Sequence, residues 1–575
     1  MRVKPLPPGI SLKASLALVV AALVLASCQG GRLAYDPQSY RSGLHSYAAG
    51  QAALYGRDTR AAADYYLAAL KQDPANDQLR DRAFELLVSD GRFAEARRLN
   101  DKLTPGRNAF VIARMLDVVD AFAARDYEAA AKALDNAAGT GFDGLIRPIA
   151  RAWLLAGEGK EAAALEALLA FNKQSPALKQ FSDEHRAMIL AYLGRWQDAE
   201  PLYRAALDAQ PGASGRLLYD FAAQLAARGR AAEALALLRR AAAAAPRDRI
   251  AAQLVADITA GKTPANLSRG PSAGLAEALY RLAAELLAQR AAQGAIVFAR
   301  LATVLRPDFD EAYILIGEVH DSQDMPEEAY RAFAAVADAS PLAVQARVRQ
   351  AAMLSRMERG EEALSQIQSL RGQAPEDADV LIALGDLYRA GERFAEAAAA
   401  YSQALESMAP DAPDLWAVHY GHGVVLERQG LWEAAEAAFR HALILKPDDP
   451  YVLNYLGYSW LDRGVNFREA RAMIERAVAQ RPDDGFIVDS LGWAYYLGGD
   501  FEEAVTLLER ASALQPGDPT IADHLGDAYW KVDRVLEARF KWRQALELQP
   551  EKDLVQHISA KLDLGLDLVE AQPQP

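Results

Sequence analysis

The spacing of the prolines constrains this chain more than any other feature. In the last third of the sequence the prolines stand 34 or 35 residues apart, and two earlier runs repeat the same step. A fixed period of this length indicates a stack of similar units, each packing on its neighbours, rather than one globular core. The three runs are Pro176, Pro211 and Pro246; Pro307, Pro341, Pro375 and Pro410; and Pro447, Pro482, Pro516 and Pro550.

Small and bulky residues recur at fixed places within each period. A Leu-Gly pair is followed three residues later by an aromatic residue, and the second half carries Ala, a bulky residue and Ala again. Glycine and alanine let two helices approach closely, the bulky residues fill the groove between them, and proline ends the second helix. The Leu-Gly pairs are Leu384-Gly385, Leu456-Gly457, Leu491-Gly492 and Leu525-Gly526, and the bulky residues of the second half are Tyr401, Phe439, Ile474, Leu508 and Trp542.

This pattern resembles tetratricopeptide repeats, each of which is a pair of antiparallel helices. The resemblance implies an all-α protein, a right-handed tetratricopeptide superhelix of about fourteen hairpins between Gly43 and Lys552. Residues 553–568 carry apolar side chains at helical spacing and predict a capping helix that covers the last hydrophobic edge. The remaining residues, 569–575, predict a disordered tail. The apolar positions of the capping helix are Leu554, Ile558, Leu562 and Leu566.

The period breaks once, between Pro246 and Pro307, which lie 61 residues apart. Helix-breaking residues such as Gly261, Pro264 and Gly270 cluster in this gap. We therefore expect a loop at 257–275 that separates an N-terminal arm, 43–256, from a C-terminal arm, 276–552. The sequence leaves open whether this loop is a hinge or only a solvated insertion.

The N-terminus predicts a lipid anchor. Basic residues precede an apolar run from Ala14 to Ala26, which is too short to span a bilayer and fits a secretory signal. The run ends in Leu25-Ala26-Ser27-Cys28, which resembles the lipobox of bacterial lipoproteins, and Cys28 is the sole cysteine. The resemblance implies a signal peptide at 1–27, acylation of Cys28, and a tether at 28–42. Because Gln29 rather than Asp follows the cysteine, it also implies the outer membrane, with the protein facing the periplasm.

Negative charge is concentrated near the C-terminus. Between Glu376 and Pro575 there are 35 acidic and 18 basic residues, so this part carries the excess acidity of a chain whose net charge is −14. Such a distribution argues against nucleic acid as a partner and favours a basic or neutral one. An acidic solvated surface that keeps the protein soluble is an equally acceptable interpretation.

Aromatic residues coincide with this charge, since six of the eight tryptophans lie at or after Trp416. In tetratricopeptide arrays the first helix of each unit lines the concave face, at roughly its second, fifth, ninth and twelfth positions. In the last three units these positions predict a partner-binding groove of aromatic and acidic side chains without lysine or arginine. The alternative is that some of them only pack between neighbouring helices. The groove residues are Tyr451, Asn454, Tyr458, Phe486, Asp489, Trp493, Tyr496, Asp523, Asp527 and Trp530.

Catalytic and cofactor signals are poor. There is no metalloprotease, hydrolase or phosphate-binding motif, and Cys28 is not available as a nucleophile once it is acylated. His419, His422 and His441 are close enough in a predicted hairpin to be considered as zinc ligands, but ordinary surface histidines are the better interpretation. The sequence predicts no enzyme, no metal and no cofactor.

The stretch from Tyr451 to Leu548 resembles the C-terminal repeats of a group of envelope tetratricopeptide lipoproteins. The best-understood type in that group is the lipoprotein adaptor of a periplasmic C-terminal processing protease, which also recruits cell-wall hydrolases as substrates. The resemblance implies a scaffold that holds protease and substrate together at the outer membrane, with the C-terminal groove binding one partner and the N-terminal arm another. The alternative is a scaffold for envelope assembly, in polysaccharide export or cell-wall synthesis, without a protease.

Overall fold

The computed structural model of the chain describes residues 43–137, 146–175, 178–209, 215–245, 247–265 and 269–570. Over these residues the protein is all-α, with 31 α-helices, one short 3-10 helix at Asn100–Lys102 and no β-strand. Of these helices, 28 form fourteen pairs, as the repeat count predicts, and all of them group into two compact units, Met1–Leu370 and Arg371–Pro575. We refer to these as unit 1 and unit 2 and describe each by itself.

Unit 1 contains nine hairpins and one helix without a partner. The second helices are shortest in the hairpins at 77–102, 310–334 and 108–136, with five, nine and ten residues. The helices are α1 Leu44–Tyr55, α2 Thr59–Gln72, α3 Asp77–Ser89, α4 Phe93–Arg97, α5 Asn108–Ala123, α6 Tyr127–Asn136, α7 Ile146–Gly157, α8 Glu161–Gln174, α9 Lys179–Tyr192, α10 Trp196–Ala209, α11 Gly215–Ala227, α12 Ala231–Ala244, α13 Arg249–Thr259, α14 Pro271–Ala288, α15 Ala292–Leu305, α16 Asp310–Ser322, α17 Pro326–Ala334, α18 Ala343–Arg356 and α19 Gly360–Gln373, whose end lies just past the boundary.

Unit 2 contains five regular hairpins followed by two terminal helices. Four of its five first helices begin at an aspartate that accepts hydrogen bonds from the first-turn amides, as Asp449 does from Tyr451 and Val452 at 3.1 and 3.2 Å. The helices are α20 Ala378–Ala390, α21 Phe394–Ser407, α22 Leu415–Arg428, α23 Trp432–Leu445, α24 Pro450–Asp462, α25 Phe467–Gln480, α26 Gly485–Leu497, α27 Phe501–Leu514, α28 Pro519–Lys531, α29 Val535–Glu547, α30 Lys552–Leu564 and α31 Leu566–Glu570.

Each hairpin of unit 2 closes where the sequence pattern predicts. A Cβ added at Gly526 would lie 2.5 Å from the Trp542 ring, and one at Gly385 would lie 2.6 Å from the Tyr401 ring. Only glycine therefore lets the first helix approach the bulky residue of the second. In α24–α25 this bulky residue, Ile474, comes one position late because Asn466 adds a residue with φ 52° before α25, which explains the 35-residue step there.

The predicted capping helix is present but is broken near its end. Ile558 and Leu566 are buried against the last hairpin, with Leu554 and Leu562 packed beside them. The helix α30 ends at Leu564, because Gly565 takes φ +84° and a Cβ there would lie 2.9 Å from the Trp530 ring. Residues 569 and 570 belong to α31, whereas the rest of the predicted tail, 571–575, lies outside the described residues.

The boundaries of the compact units differ from the predicted arms. The predicted division at 257–275 lies inside unit 1, where α13 ends at Thr259 and α14 begins at Pro271. The extra length between Pro246 and Pro307 consists of the unpaired helix α13 and this connection. After it, the chain turns back on the N-terminal hairpins, so residues on both sides of the connection share one hydrophobic core.

Candidate functional site

The first helices of the N-terminal hairpins do not present an open concave face. The hairpin α14–α15 packs against four of them, α3, α5, α7 and α9. Trp153 on α7 is fully buried, and a Cβ at Gly274 on α14 would overlap its indole. Ser272 donates a hydrogen bond of 2.6 Å to the carbonyl of Phe122, which joins α14 to α5. The chain thus fills this face with its own helices.

Charged residues hold this internal hairpin in place. Arg216 on α11 donates two hydrogen bonds to the Glu277 carboxylate of α14, at 2.5 and 2.6 Å, and also pairs with Glu311 of α16. Arg281 of α14 pairs with Glu184 of α9 at 2.7 Å. Since the arginine and glutamate side chains of the Arg216–Glu277 pair are 15% and 8% exposed, these contacts are part of the interior and leave no groove for a partner.

The filling is incomplete at one place in unit 1. A cavity of about 400 Å³ remains between α1, α3, α15 and the end of α16, lined by residues that include Leu86, Ile296 and His320. Burial lowers the pKa of His320 to about 3, helped by the positive charges of Arg300 and Arg331. The imidazole is therefore neutral, and its buried Nδ1 has no hydrogen-bond partner.

The first helices of hairpins in unit 2 carry the ten predicted groove residues, and these fall into three classes. Tyr451 and Phe486 are exposed, at 43% and 52%. Four more are half-buried, namely Asn454, Tyr458, Trp493 and Trp530. The other four, Asp489, Tyr496, Asp523 and Asp527, are at most 7% exposed. For these four the alternative given by the sequence, packing between neighbouring helices, describes their position.

The three buried aspartates have partners within the chain. Asp489 of α26 contacts His524 Nδ1 of α28 at 3.1 Å from both carboxylate oxygens. Lys561 of α30 donates hydrogen bonds to Asp523 at 2.8 and 2.9 Å and to Asp527 at 2.6 Å. These acidic groups thus pair with side chains of the next helix in the stack and do not form an acidic surface.

The open part of the face is an aromatic surface on α22, α24 and α26. Two members were missed by the sequence analysis, Trp416 and Tyr420 on α22, which are half-buried. Tyr420 stands 34 residues before Asn454, so extending the register by one more repeat would have found it, whereas Trp416 stands 35 residues before Tyr451, one position outside that register. We call this surface the aromatic face; its members are Trp416, Tyr420, Tyr451, Asn454, Tyr458, Phe486 and Trp493.

Cations from neighbouring segments reach the aromatic face, contrary to the predicted lack of lysine and arginine. Lys446 Nζ lies 3.9 Å from the centre of the Trp416 ring, and the Arg481 guanidinium lies 5.5 Å from that of Tyr451. Each cation lies directly after the second helix of a hairpin. The groove was predicted from positions on first helices only, so neither cation was included. The face is therefore less acidic than its first helices alone suggest, and its chemistry is mainly that of exposed rings.

Two polar groups lie among the rings of the aromatic face. The Oδ1 atom of Asn454 is buried and has no hydrogen-bond partner. Burial, together with the nearby Asp489 carboxylate, raises the pKa of the Tyr458 hydroxyl well above its ordinary value, so the hydroxyl keeps its proton and remains a donor. An acceptor and a donor between exposed rings suit a peptide, whose backbone offers both groups.

The remaining predictions concern metals and membranes. The His419 and His441 rings have their centres 4.2 Å apart and their planes tilted by 38°, and burial followed by the His441 and His422 charges lowers the pKa of His419 to about 4. Across the described ranges, no group of three or more His, Cys, Asp or Glu side chains is arranged to hold a metal ion. In the same ranges no helix has the length and apolar character needed to cross a bilayer. Cys28 and Gln29 lie outside the described residues.

Comparison with protein families identifies the repeats. A tetratricopeptide-repeat family model matches residues 354–414, 382–450 and 420–465, and a second TPR-repeat model matches residues 492–533. These matches include α22 and α24, leave residues 466–491 with Phe486 unmatched, and leave most of unit 1 unmatched. The chain thus contains tetratricopeptide repeats within an all-α array of helical hairpins, and such repeats indicate a protein-binding scaffold.

Individual relatives are distant. A stretch of 140 residues is 29% identical to the general transcriptional corepressor ssn6 of Schizosaccharomyces pombe, covering 24% of this chain and only 12% of the corepressor. The chain is also similar to Cut9 in the APC/C Cut9-Hcn1 hetero-tetramer structure, at 15% identity over 91% of this chain and 96% of the other, with a TM-score of 0.41. The TPR protein YrrB, described as having an unusual peptide-binding site, matches 34% of this chain and 97% of its own at 21% identity, with a TM-score of 0.27.

Proposed function

We propose that this protein is a lipid-anchored scaffold of the bacterial outer membrane that binds a periplasmic C-terminal processing protease and its cell-envelope substrates. The observation that carries the proposal is the aromatic face of unit 2. Exposed tyrosine and phenylalanine rings beside half-buried tryptophans on one surface are typical of protein-binding hot spots. The anchor part of the proposal rests on the lipobox-like sequence that ends at Cys28.

The mechanism requires no chemistry from the scaffold itself. Holding two proteins on one chain raises their local concentration to roughly millimolar, which is enough to favour cleavage of a weakly bound substrate. One partner is assigned to the aromatic face. The concave face of the N-terminal hairpins, which α14 and α15 fill, is not available to the second partner, so that partner must use another surface.

The groove assignment is tested by affinity capture from solubilised envelopes with the full chain. In the variant Phe486→Ala/Trp493→Ala, two rings of the aromatic face are removed, and the protease is expected to be lost from the captured fraction. The matched control is Phe540→Ala, because Phe540 is 65% exposed but lies on α29, a second helix of its hairpin. Equal capture of the protease by all three proteins would contradict the assignment.

The identity of the captured protein decides between the two functions. Capture of a protease together with cell-wall hydrolases supports the adaptor function. Capture of polysaccharide-export or cell-wall synthesis enzymes without a protease would instead support the scaffold for envelope assembly. In either case the single variant Phe486→Ala, which removes only an exposed ring, reports on the aromatic face without disturbing the stacking of Trp493 on His524.

The anchor is tested separately by fractionation. Cys28→Ser removes the thiol that the lipid requires, so the protein is expected to leave the membrane fraction. Gln29→Asp keeps the thiol and is expected to move the protein from the outer to the inner membrane. Retention of the Cys28→Ser protein in the outer membrane would contradict lipid anchoring at this residue.

A further inference from the structure

Five ionisable side chains form one continuous buried cluster at the end of unit 2. They come from the first helices of the last two hairpins and from the capping helix: Asp489 from α26, Asp523, His524 and Asp527 from α28, and Lys561 from α30. None is more than 7% exposed. The cluster links the last two hairpins to the capping helix, because each contact crosses from one of these helices to the next.

The contacts within the cluster are short and specific. His524 Nδ1 is 3.1 Å from Asp489, and Lys561 Nζ is 2.6 to 2.9 Å from the carboxylates of Asp523 and Asp527. Trp542 of α29 adds a hydrogen bond of 2.9 Å from its Nε1 to Asp527 Oδ1. The cluster therefore has a fixed hydrogen-bond pattern and not only a general proximity of charges.

The net charge of this cluster is zero only if two of its groups keep protons that the same groups would lose if they were exposed to water. Three carboxylates face one lysine and one histidine, so the fully ionised cluster carries a net charge of −1 with His524 protonated and −2 with His524 neutral. A net charge in the interior is costly because burial removes its hydration. Neutrality is reached when His524 is protonated and one carboxylate keeps its proton.

We propose that this cluster is a proton-dependent clamp, which holds the last two hairpins and the capping helix together and opens as the pH rises. Protonated His524 bridges α28 to Asp489 of α26, and the protonated carboxylate lets Lys561 of α30 bind two aspartates without repulsion between them. Loss of both protons leaves two unbalanced negative charges between the helices. The clamp then loosens from its C-terminal end.

The surroundings of each group favour the protonated form at low pH and the loss of the clamp as the pH rises. Burial alone would lower the pKa of His524, but Asp489, followed by Asp523 and Asp527, raises it above the ordinary value. Burial and repulsion by Asp523 raise the pKa of Asp527 to about 7, against the opposite effects of Lys561 and Trp542. Tyr458 of α24 faces Asp489 and stays uncharged. At the edge, Asp567 of α31 pairs with Lys531 at 3.1 Å.

The clamp is joined to the aromatic face through one ring. The Trp493 indole stacks on the His524 imidazole with ring centres 4.0 Å apart, and on Tyr496 at 4.6 Å. A protonated imidazole is attracted to the face of an indole more strongly than a neutral one. The consequence for partner binding rests on the proposed function, whereas the clamp itself is a property of the chain alone.

Hydrogen exchange of the full chain between pH 6 and pH 8 tests the clamp. After correction for the intrinsic rates, opening of α28 and α30 is expected to increase, with Asp527 alone contributing about tenfold. Asp527→Asn removes the proton that this residue must hold, so this tenfold part is expected to disappear. Exchange of α20 and α21 in the same sample is the internal control and is expected to change little.

Two results would overturn the proposal. One is corrected exchange of α28 and α30 that does not increase with pH, and the other is an equal increase in Asp527→Asn. If that variant fails to fold, histidine NMR of the wild-type chain decides, with the signal of His524 identified by its absence in His524→Gln. That signal is expected to titrate above pH 6.5, and titration below this value contradicts the clamp.

The control for the NMR measurement is His557→Asn, since His557 is an exposed residue of the same capping helix. This variant is expected to keep the His524 signal and its titration. Because no partner protein is present in either measurement, failure of the clamp is distinguishable from failure of the proposed function, which is read only from capture and crosslinking.

Discussion

The concave face of the N-terminal hairpins in unit 1 and the corresponding face of unit 2 use the same repeat in opposite ways. In unit 1 the face is filled by α14 and α15, and Trp153, which lies on a face-lining helix, is completely buried. In unit 2 the rings of Tyr451 and Phe486 stand exposed on the equivalent surface. A tetratricopeptide array therefore does not guarantee a groove, since a returning segment of the same chain can take the place of a partner.

Polar contacts show the same contrast. In unit 1 the buried cations pair with acids of the returning helices, as Arg216 does with Glu277 and Glu311. In unit 2 the buried acids pair with the next helix in the stack, as Asp523 and Asp527 do with Lys561. The ion pairs of unit 1 close a concave face. Those of unit 2 join successive helices of the stack and leave its concave side open.

The largest effect is expected from removing the side chain that joins the returning helices to α7. Trp153→Ala is expected to lower the free energy of unfolding of unit 1 by about 4 kcal/mol, because it leaves a large cavity against Gly274 and removes the hydrogen bond to His185. Hydrogen exchange by mass spectrometry should show α14 and α15 opening. The matched control, Trp542→Ala, is expected to open α28 and α29 and to leave α14 protected.

A somewhat smaller effect is expected at the charged contact of unit 1. Arg216→Met keeps most of the side-chain volume but leaves Glu311 without its arginine, while Glu277 retains Arg306 at 2.7 Å. We expect a loss of about 3 kcal/mol in the stability of unit 1. Thermal unfolding followed by exchange in α11, α14 and α16 measures it. An unchanged stability would mean that packing, not this ion pair, closes the face.

The two units are also expected to differ in the pH at which they weaken. In unit 1, burial lowers the pKa values of His185 and His320 to about 3, so unfolding takes up protons that the folded state cannot hold. Stability is therefore full above about pH 6.5 and is lost as the pH falls, by about 2 kcal/mol for each histidine at pH 5. The clamp of unit 2 has the opposite sign and weakens as the pH rises.

This difference is measured by hydrogen exchange at pH 5, 6.5 and 8 on one sample. Opening of α9 and α16, which carry the two histidines of unit 1, is expected to dominate at pH 5. Opening of α28 and α30 is expected to dominate at pH 8. Equal pH dependence of both regions would contradict the assigned protonation states.

The smallest effect is expected at the upstream edge of the aromatic face. Trp416→Ala removes a half-buried ring with Lys446 above it, two repeats before the rings that carry the capture experiment. We expect partner affinity to fall by about fivefold, or about 1 kcal/mol, with little change in stability. Titration of the captured partner against both proteins measures the change. A loss larger than that for Trp493→Ala would move the centre of the binding site to α22.

The sequence predicted the hairpins well because their determinants are local. Gly526 and Trp542 lie sixteen residues apart and define one helix pair, and the same relation holds in the neighbouring repeats. The hairpin count and the capping helix followed from that period. The break of the cap at Gly565 was not predicted, because it depends on the Trp530 ring of another helix.

The site was predicted less well because exposure depends on residues one or more repeats away. Asp489, Asp523 and Asp527 occupy groove positions in the sequence register, but His524 and Lys561 bury them. The filling of the unit 1 face by α14 and α15 was even harder to predict from the sequence. Nothing in a 34-residue period indicates that Gly274 packs on Trp153, 121 positions earlier, and the predicted arm boundary failed to coincide with the compact units for that reason.

Site-specific photo-crosslinking in intact cells tests the central claim most directly. A photoreactive residue placed at Phe486 probes the aromatic face, one at Ile444 probes an exposed apolar position on the second helix α23, and one at Tyr55 probes exposed surface of unit 1. If unit 2 presents the only open concave face among the described residues, Phe486 gives an adduct with a protein partner, and the other two positions do not give the same adduct. The claim is contradicted if that partner is captured at Ile444 or Tyr55 but not at Phe486.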